Sequence, residues 1–152
     1  MVYDQLSFLI NKNTKLATTQ LKKLRDLFIG IVLNLACNIE DNSMIIYLVK
    51  DINILDPLTK ILVDSRNDWP THGASQAIMQ YSHLAMQDGQ VFEVFAKIGM
   101  DVKLRQILSS GLIKHPDALQ HLQQSLGHLE IAASKQSQIV HILQRHIFTR
   151  AA

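Results

Sequence analysis

The sequence predicts an all-α protein built as a stack of about three helical units. Three observations carry this expectation. Apolar residues recur at helical spacing along most of the 152 residues, and no comparably long alternating strand pattern is present. Short polar knots such as NIEDNS separate the apolar stretches. The segment LNLACNIEDNSMIIYLVKDINILDPLTKIL also matches SHLAMQDGQVFEVFAKIGMDVKLRQIL element for element, and its Leu35-Ala36 pair recurs about 49 positions later as Leu84-Ala85.

The first element is a long helix, because Leu21, Leu24, Leu27, Phe28, Ile31, Val32, Leu35 and Ala36 fall on helical spacing. The turn and capping residues between Asn38 and Ser43 end it, and Met44, Ile45, Leu48 and Val49 restore an apolar face. ILDPLTKILVDS predicts a third helix with Pro57 in its first turn, where a missing backbone N–H costs nothing. After RNDWPTHG the cycle restarts: Pro70 suits a helix start, and Ile78, Tyr81, Leu84 and Ala85 form the next stripe. Val91, Phe95 and Ile98 share one face, which places Phe92 and Phe95 in the core. ALQHLQQSLGHLEIAASKQSQIVHILQRHIF supplies a third copy.

Composition narrows the functional classes. The 47% apolar residues support a continuous core, and the formal charge of +2 is too balanced to announce a nucleic-acid or membrane protein. Apolar runs fall well short of the roughly 20 residues a membrane helix needs, and the N-terminus lacks a secretory leader pattern. Cys37, the one cysteine, reads as a small buried residue of a reducing compartment, cytosolic or nuclear.

The units resemble armadillo repeats, in which a long helix ending in leucine-x-asparagine-leucine-alanine precedes two shorter helices. The resemblance implies a right-handed armadillo-like solenoid occupying residues 1–152 as one domain, a fragment of a longer protein. Its long helices would run from Thr14 to Cys37, Trp69 to Gln87 and His115 to Ser134. First short helices would run from Asp41 to Asp51, Gly89 to Ile98 and Gln136 to Phe148, second ones from Leu55 to Asp64 and Val102 to Ser109. YDQLSFLINK reads as the last helix of a preceding unit. In that family the long helices line the concave face, and the motif asparagine holds the backbone of an extended peptide.

That role transfers to Asn34 alone. His83 and His128 take the corresponding later positions, and Gly30, Met79 and Gln124 stand where peptide-binding members often carry tryptophan, so the groove of nuclear-import receptors is not expected. The chain is also similar to the C-terminal end of large rotatin-like scaffolds of the centriole and cilium. This implies a noncatalytic scaffold module, cytoplasmic or centrosomal, that needs no cofactor and binds a protein or peptide segment.

Candidate binding residues are therefore Asn34, His83 and His128, a polar row able to donate and accept hydrogen bonds. The bland alternative has Asn34 bonding a neighbouring helix end and the histidines structural or solvated. Lys22, Lys23 and Arg25, with Lys12 and Lys15, form one basic group; Lys135, Arg145, His146 and Arg150 form another at the closing helix. The first group supports a second reading, a nucleic-acid-associated module, although its lysines suit a solvated helix face and aromatic interleaving is sparse. The apolar N-terminal decapeptide makes self-association through terminal helices a third possibility.

Catalysis and metal binding find little support. The chain lacks a phosphate loop, an HExxH helix, a GxSxG elbow and paired cysteines. His115, His121 and His128 share one expected helix, but the last two would lie roughly 10 Å apart along it at 1.5 Å per residue. Trp69, beside Pro70, is expected to plug the seam between units rather than stand out as an anchor.

Overall fold

The structure, a computed structural model, describes residues 15–38, 40–65 and 69–150. The expected helix over Tyr3 to Lys12, and the basic Lys12, lie outside the described residues. Seven α-helices follow in order: α1 (Lys15–Asn38), α2 (Asn42–Ile46), α3 (Leu55–Ser65), α4 (Trp69–Ala85), α5 (Gly89–Lys97), α6 (Met100–Ser110) and α7 (Pro116–Arg150). A π-helical turn over Tyr47–Asp51 continues α2. All the described elements are helical, as expected.

Local chemistry sets these boundaries. Asp41 caps α2 by accepting from the Ser43 backbone N–H at 2.9 Å, and Asp88 caps α5 in the same way from Gln90 at 2.8 Å. Each carboxylate satisfies a backbone donor left over at a helix start. The two caps sit at matching points of the two matched segments. Gly99 and Gly111 bracket α6 with φ of 64° and 68°, the left-handed backbone that side-chain-bearing residues avoid.

α4 is the centre of the molecule. Ten of its residues are buried, including Gly73, Ala74, Ser75 and Ala77, whose small side chains let other helices approach closely. It packs between α1 and α7 and also against α3 and α5. On the α1 side Gly73 lies over Ile29, and the Tyr81 hydroxyl donates to the Val32 carbonyl at 3.3 Å. On the α7 side Ser75 meets His121, Ser82 meets His128, and Lys135 donates to the Met86 carbonyl at 3.3 Å. Partner numbers rise together along both seams, so α1, α4 and α7 run parallel.

The short helices follow the same order. Thr59 of α3 lies 3.9 Å from the Met100 sulfur at the start of α6. The π-turn and α5 line an open groove of about 510 Å³ to which Val49 and Val94 contribute. The core runs continuously from Ile29 through Leu58, Ile61, Ile78, Phe95 and Leu104 to Leu122. Full burial of each such aliphatic or aromatic side chain contributes about 1.5–3 kcal/mol.

Three expectations are corrected. α7 is one helix of 35 residues, where a break near Ser134 and a separate helix from Gln136 to Phe148 were expected. The reason is local: Ala133-Ser134-Lys135-Gln136 contains no glycine, proline or capping carboxylate, unlike the corners after α1 and α4. Cys37 is exposed, because it lies about 100° around the helix from Ala36 on the buried stripe. Trp69 is 51% exposed at the first position of α4 and does not plug a seam, although the edge of its ring reaches toward Gly73.

Candidate binding faces

The histidines expected at equivalent positions do meet. His83 and His128 stand edge to face with ring centroids 5.2 Å apart across the α4–α7 seam. Asn34 is exposed, and its amide oxygen accepts from Asn38 one turn along α1 at 2.9 Å. The proposed ladder is thus divided: two members join across a seam, and the third bonds its own helix.

A second histidine group lies at the other end of this seam. His72 of α4 faces His121 at 5.2 Å and His115 at 5.4 Å between ring centroids, with its Nε2 4.0 Å from an Asp117 carboxylate oxygen. Ser75 Oγ donates to the His72 carbonyl at 2.8 Å and lies 3.1 Å from His121 Nδ1. Ser82 Oγ repeats the pattern one heptad on, donating to the Met79 carbonyl at 2.8 Å and lying 3.0 Å from His128 Nδ1. Each serine oxygen thus sits between a carbonyl and an imidazole Nδ1, where its hydroxyl can donate to one and accept from the other. Sequence reasoning missed His72 and the serines, although Ser75 and Ser82 share the seven-residue spacing of His121 and His128.

The surroundings favour the neutral rings. Burial lowers the His121 pKa below its ordinary value, His72 and His115 lower it further, and Asp117 opposes them in part. Burial also lowers that of His128, followed by the charge of His83, against a smaller upward pull from the Met79 carbonyl. Both folded values lie below the ordinary 6.5, so in the interval between them the unfolded chain holds protons that the folded chain does not. Stability should fall as pH drops through 6.5 and level off below the folded values. We expect a lower urea midpoint at about pH 5.5 than at about pH 7.5, and a shallower difference in a His121→Gln/His128→Gln double variant. An unchanged slope in that variant would assign the pH response to other groups.

Among the described residues, no group of three His, Cys, Asp or Glu side chains is placed to hold a metal ion. The seam histidines instead face serine hydroxyls and each other.

Of the basic group, the Lys12 and Lys15 side chains lie outside the described part; Lys22 and Lys23 are exposed, Asp26 lies one helical turn from both, and Arg25 pairs with Asp26 at 3.2 Å. Exposed Leu24, Leu27 and Ile31 share this part of the helix. A phosphate backbone would meet a carboxylate and apolar side chains among the lysines.

The closing helix presents an open apolar surface. Along α7, Ala118, Leu122, Ser125, Leu129 and Ala132 are buried. Gln136 is half-buried beside Gly89, and all residues from 137 through 150 are exposed. Ile139, Val140, Leu143 and Ile147 nevertheless continue the buried stripe at helical spacing, with Ile147 at 66% and Phe148 at 77% exposure. Arg145 is exposed on the opposite side, its carbonyl accepting from the Thr149 hydroxyl. Between α5, α6 and this helix, Phe92 and Leu129 line a smaller cleft of about 250 Å³ crossed by an Arg105–Glu130 ion pair of 2.7 Å. No helix among the described residues is long and apolar enough to cross a membrane. Comparison with protein-family models, curated proteins and solved structures finds no match.

Proposed function

We propose that the chain is a noncatalytic protein-interaction module, a stretch of armadillo-like solenoid that holds a protein segment on its closing helix. The observation that carries this reading is the exposed half of α7, whose apolar stripe continues a face that is buried against other helices over its first half. Apolar surface concentrated on one such element marks an interaction site. The parallel succession of α1, α4 and α7, each separated from the next by shorter helices, supports a solenoid setting. A large scaffold of the centriole or cilium is the context that the resemblance of the units implies. The long-helix row is the weaker face, since Asn34 is bonded within α1 and His128 within the seam.

The test is affinity capture from a reducing cell extract with three baits: the unaltered chain, Asn34→Ala/His83→Ala and Val140→Asp/Leu143→Asp. Proteins held by the first two and lost from the third are expected. Loss with Asn34→Ala/His83→Ala alone would transfer binding to the long-helix row. Retention of nucleic acid that weakens steeply with salt would instead support the reading based on Lys22 and Lys23.

A further inference from the structure

The exposed half of α7 carries an unusual charge pattern. Residues 131–150 contain Lys135, Arg145 and Arg150, together with His141 and His146, and no aspartate or glutamate. Lys135 reaches back to the Met86 carbonyl, so the cations of the free portion are Arg145 and Arg150. We infer that this half of α7 is a docking site for an acidic amphipathic helix, a proposal that rests on the interaction-module reading above.

Three considerations select that occupant. The first is continuity. Ala118, Leu122, Leu129 and Ala132 are covered by helices, and Ile139, Val140, Leu143 and Ile147 present the same stripe for roughly 20 Å beyond them. A helix laid along this extension would meet the same ridge pattern that α4 already fits.

The second is charge complementarity. A second copy paired antiparallel through this stripe would oppose cations and histidines with more of the same, and residues 131–150 offer no carboxylate to neutralise them. Glutamates flanking an apolar seam would instead lie near His146 and Arg150 at the stripe's edge, and near Arg145 at longer range. Complementary charge of this kind selects the partner and speeds encounter.

The third concerns an anionic lipid surface. A helix lying in that interface carries many Lys or Arg residues on its polar face, with Trp, Phe or Leu on the other. Here the polar side holds Ser134, Ser137, Gln138 and Thr149 with His141 and a single Arg or Lys, Arg145, and the apolar stripe is largely β-branched. This pattern suits side-chain interdigitation with another helix.

The probes are two synthetic amphipathic helices of about three heptads with identical Ile/Leu seams, one flanked by Glu and the other by Lys. Binding to the full chain is measured at near-physiological salt, alongside phosphatidylserine vesicles and sedimentation of the chain alone. The Glu-flanked helix is expected to bind at least about tenfold more tightly than the Lys-flanked one, and Val140→Asp/Leu143→Asp to weaken it by at least about tenfold. Thermal melting of that variant should be unchanged, because both side chains are exposed in the unaltered chain.

Equal affinity for the two helices overturns the acidic partner. Vesicle binding without helix binding replaces it with a lipid surface, and concentration-dependent dimerisation lost on Val140→Asp/Leu143→Asp replaces it with a second copy. If capture from extract depends on Val140 and Leu143 while the Glu-flanked helix fails to bind, the partner chemistry is wrong and the interaction face stands. If capture ignores those residues, the face itself is wrong.

Discussion

Tyr81→Ala is expected to remove about 3–5 kcal/mol of folding stability, the range for emptying a large aromatic site in a packed core. Tyr81 is fully buried in α4, on the side that faces α1, and its hydroxyl reaches the Val32 carbonyl. Burial, followed by the nearby Cys37 thiol, pushes the phenol up to about 12, so the group stays a neutral donor across the working pH range. Most of its contribution should come from the ring, because one hydrogen bond nets only about 1 kcal/mol. Tyr81→Phe separates the two parts and should cost no more than about 1 kcal/mol. Urea unfolding followed by circular dichroism reads both values. Similar losses from Ala and Phe would show that the ring does not fill the α1–α4 junction. Domains of this size have roughly 5–15 kcal/mol of stability, so the alanine variant should sit near the edge of folding.

Gly73→Val should cost about 3 kcal/mol, the upper end of the usual overpacking penalty. A Cβ placed at Gly73 would lie 2.6 Å from the Ile29 γ2 methyl. Ile29 is fully buried and β-branched within a helix, so that methyl has almost no alternative rotamer to adopt. Relief requires α1 and α4 to move apart, which loosens the contacts around Val32 and Tyr81 as well. Helix propensity improves slightly when glycine is replaced, but the gain is only a few tenths of a kcal/mol for valine. Ile29→Ala supplies the check. Alone it should cost about 2–5 kcal/mol by opening a cavity, and combined with Gly73→Val the losses should sum to less than the two separately. Full additivity would mean that the two positions do not share one space.

These seams explain which features could be read from residue order. The helices over Leu55–Ser65 and Gly89–Lys97 were legible because apolar spacing marked both, with Pro57 suited to the first turn of the former. The break expected after Ser134 was not there, because repeat analogy placed a corner where no local residue enforces one. Tyr47–Asp51 followed a helical pattern too, but the five-residue bonding of the π-turn leaves no clear mark in hydrophobic spacing.

Placement of the candidate residues depended on three dimensions. Asn34, His83 and His128 align in sequence, yet Asn34 bonds Asn38 while the histidines meet across the α4–α7 seam. Whether Trp69 and Cys37 were buried turned on which neighbour came to rest against each helix face, and among the described residues both stay exposed. The chain's own order carries the helical class, the matched units and the carboxylate-free tail of α7, because propensity, spacing and charge are local properties. Pairing Ser75 with His121 and Ser82 with His128, and leaving Val140 and Leu143 in water, required the parallel packing of distant helices. That outcome follows from how small residues on α4 admit α1 and α7, and from how far the described helices reach along the longer one.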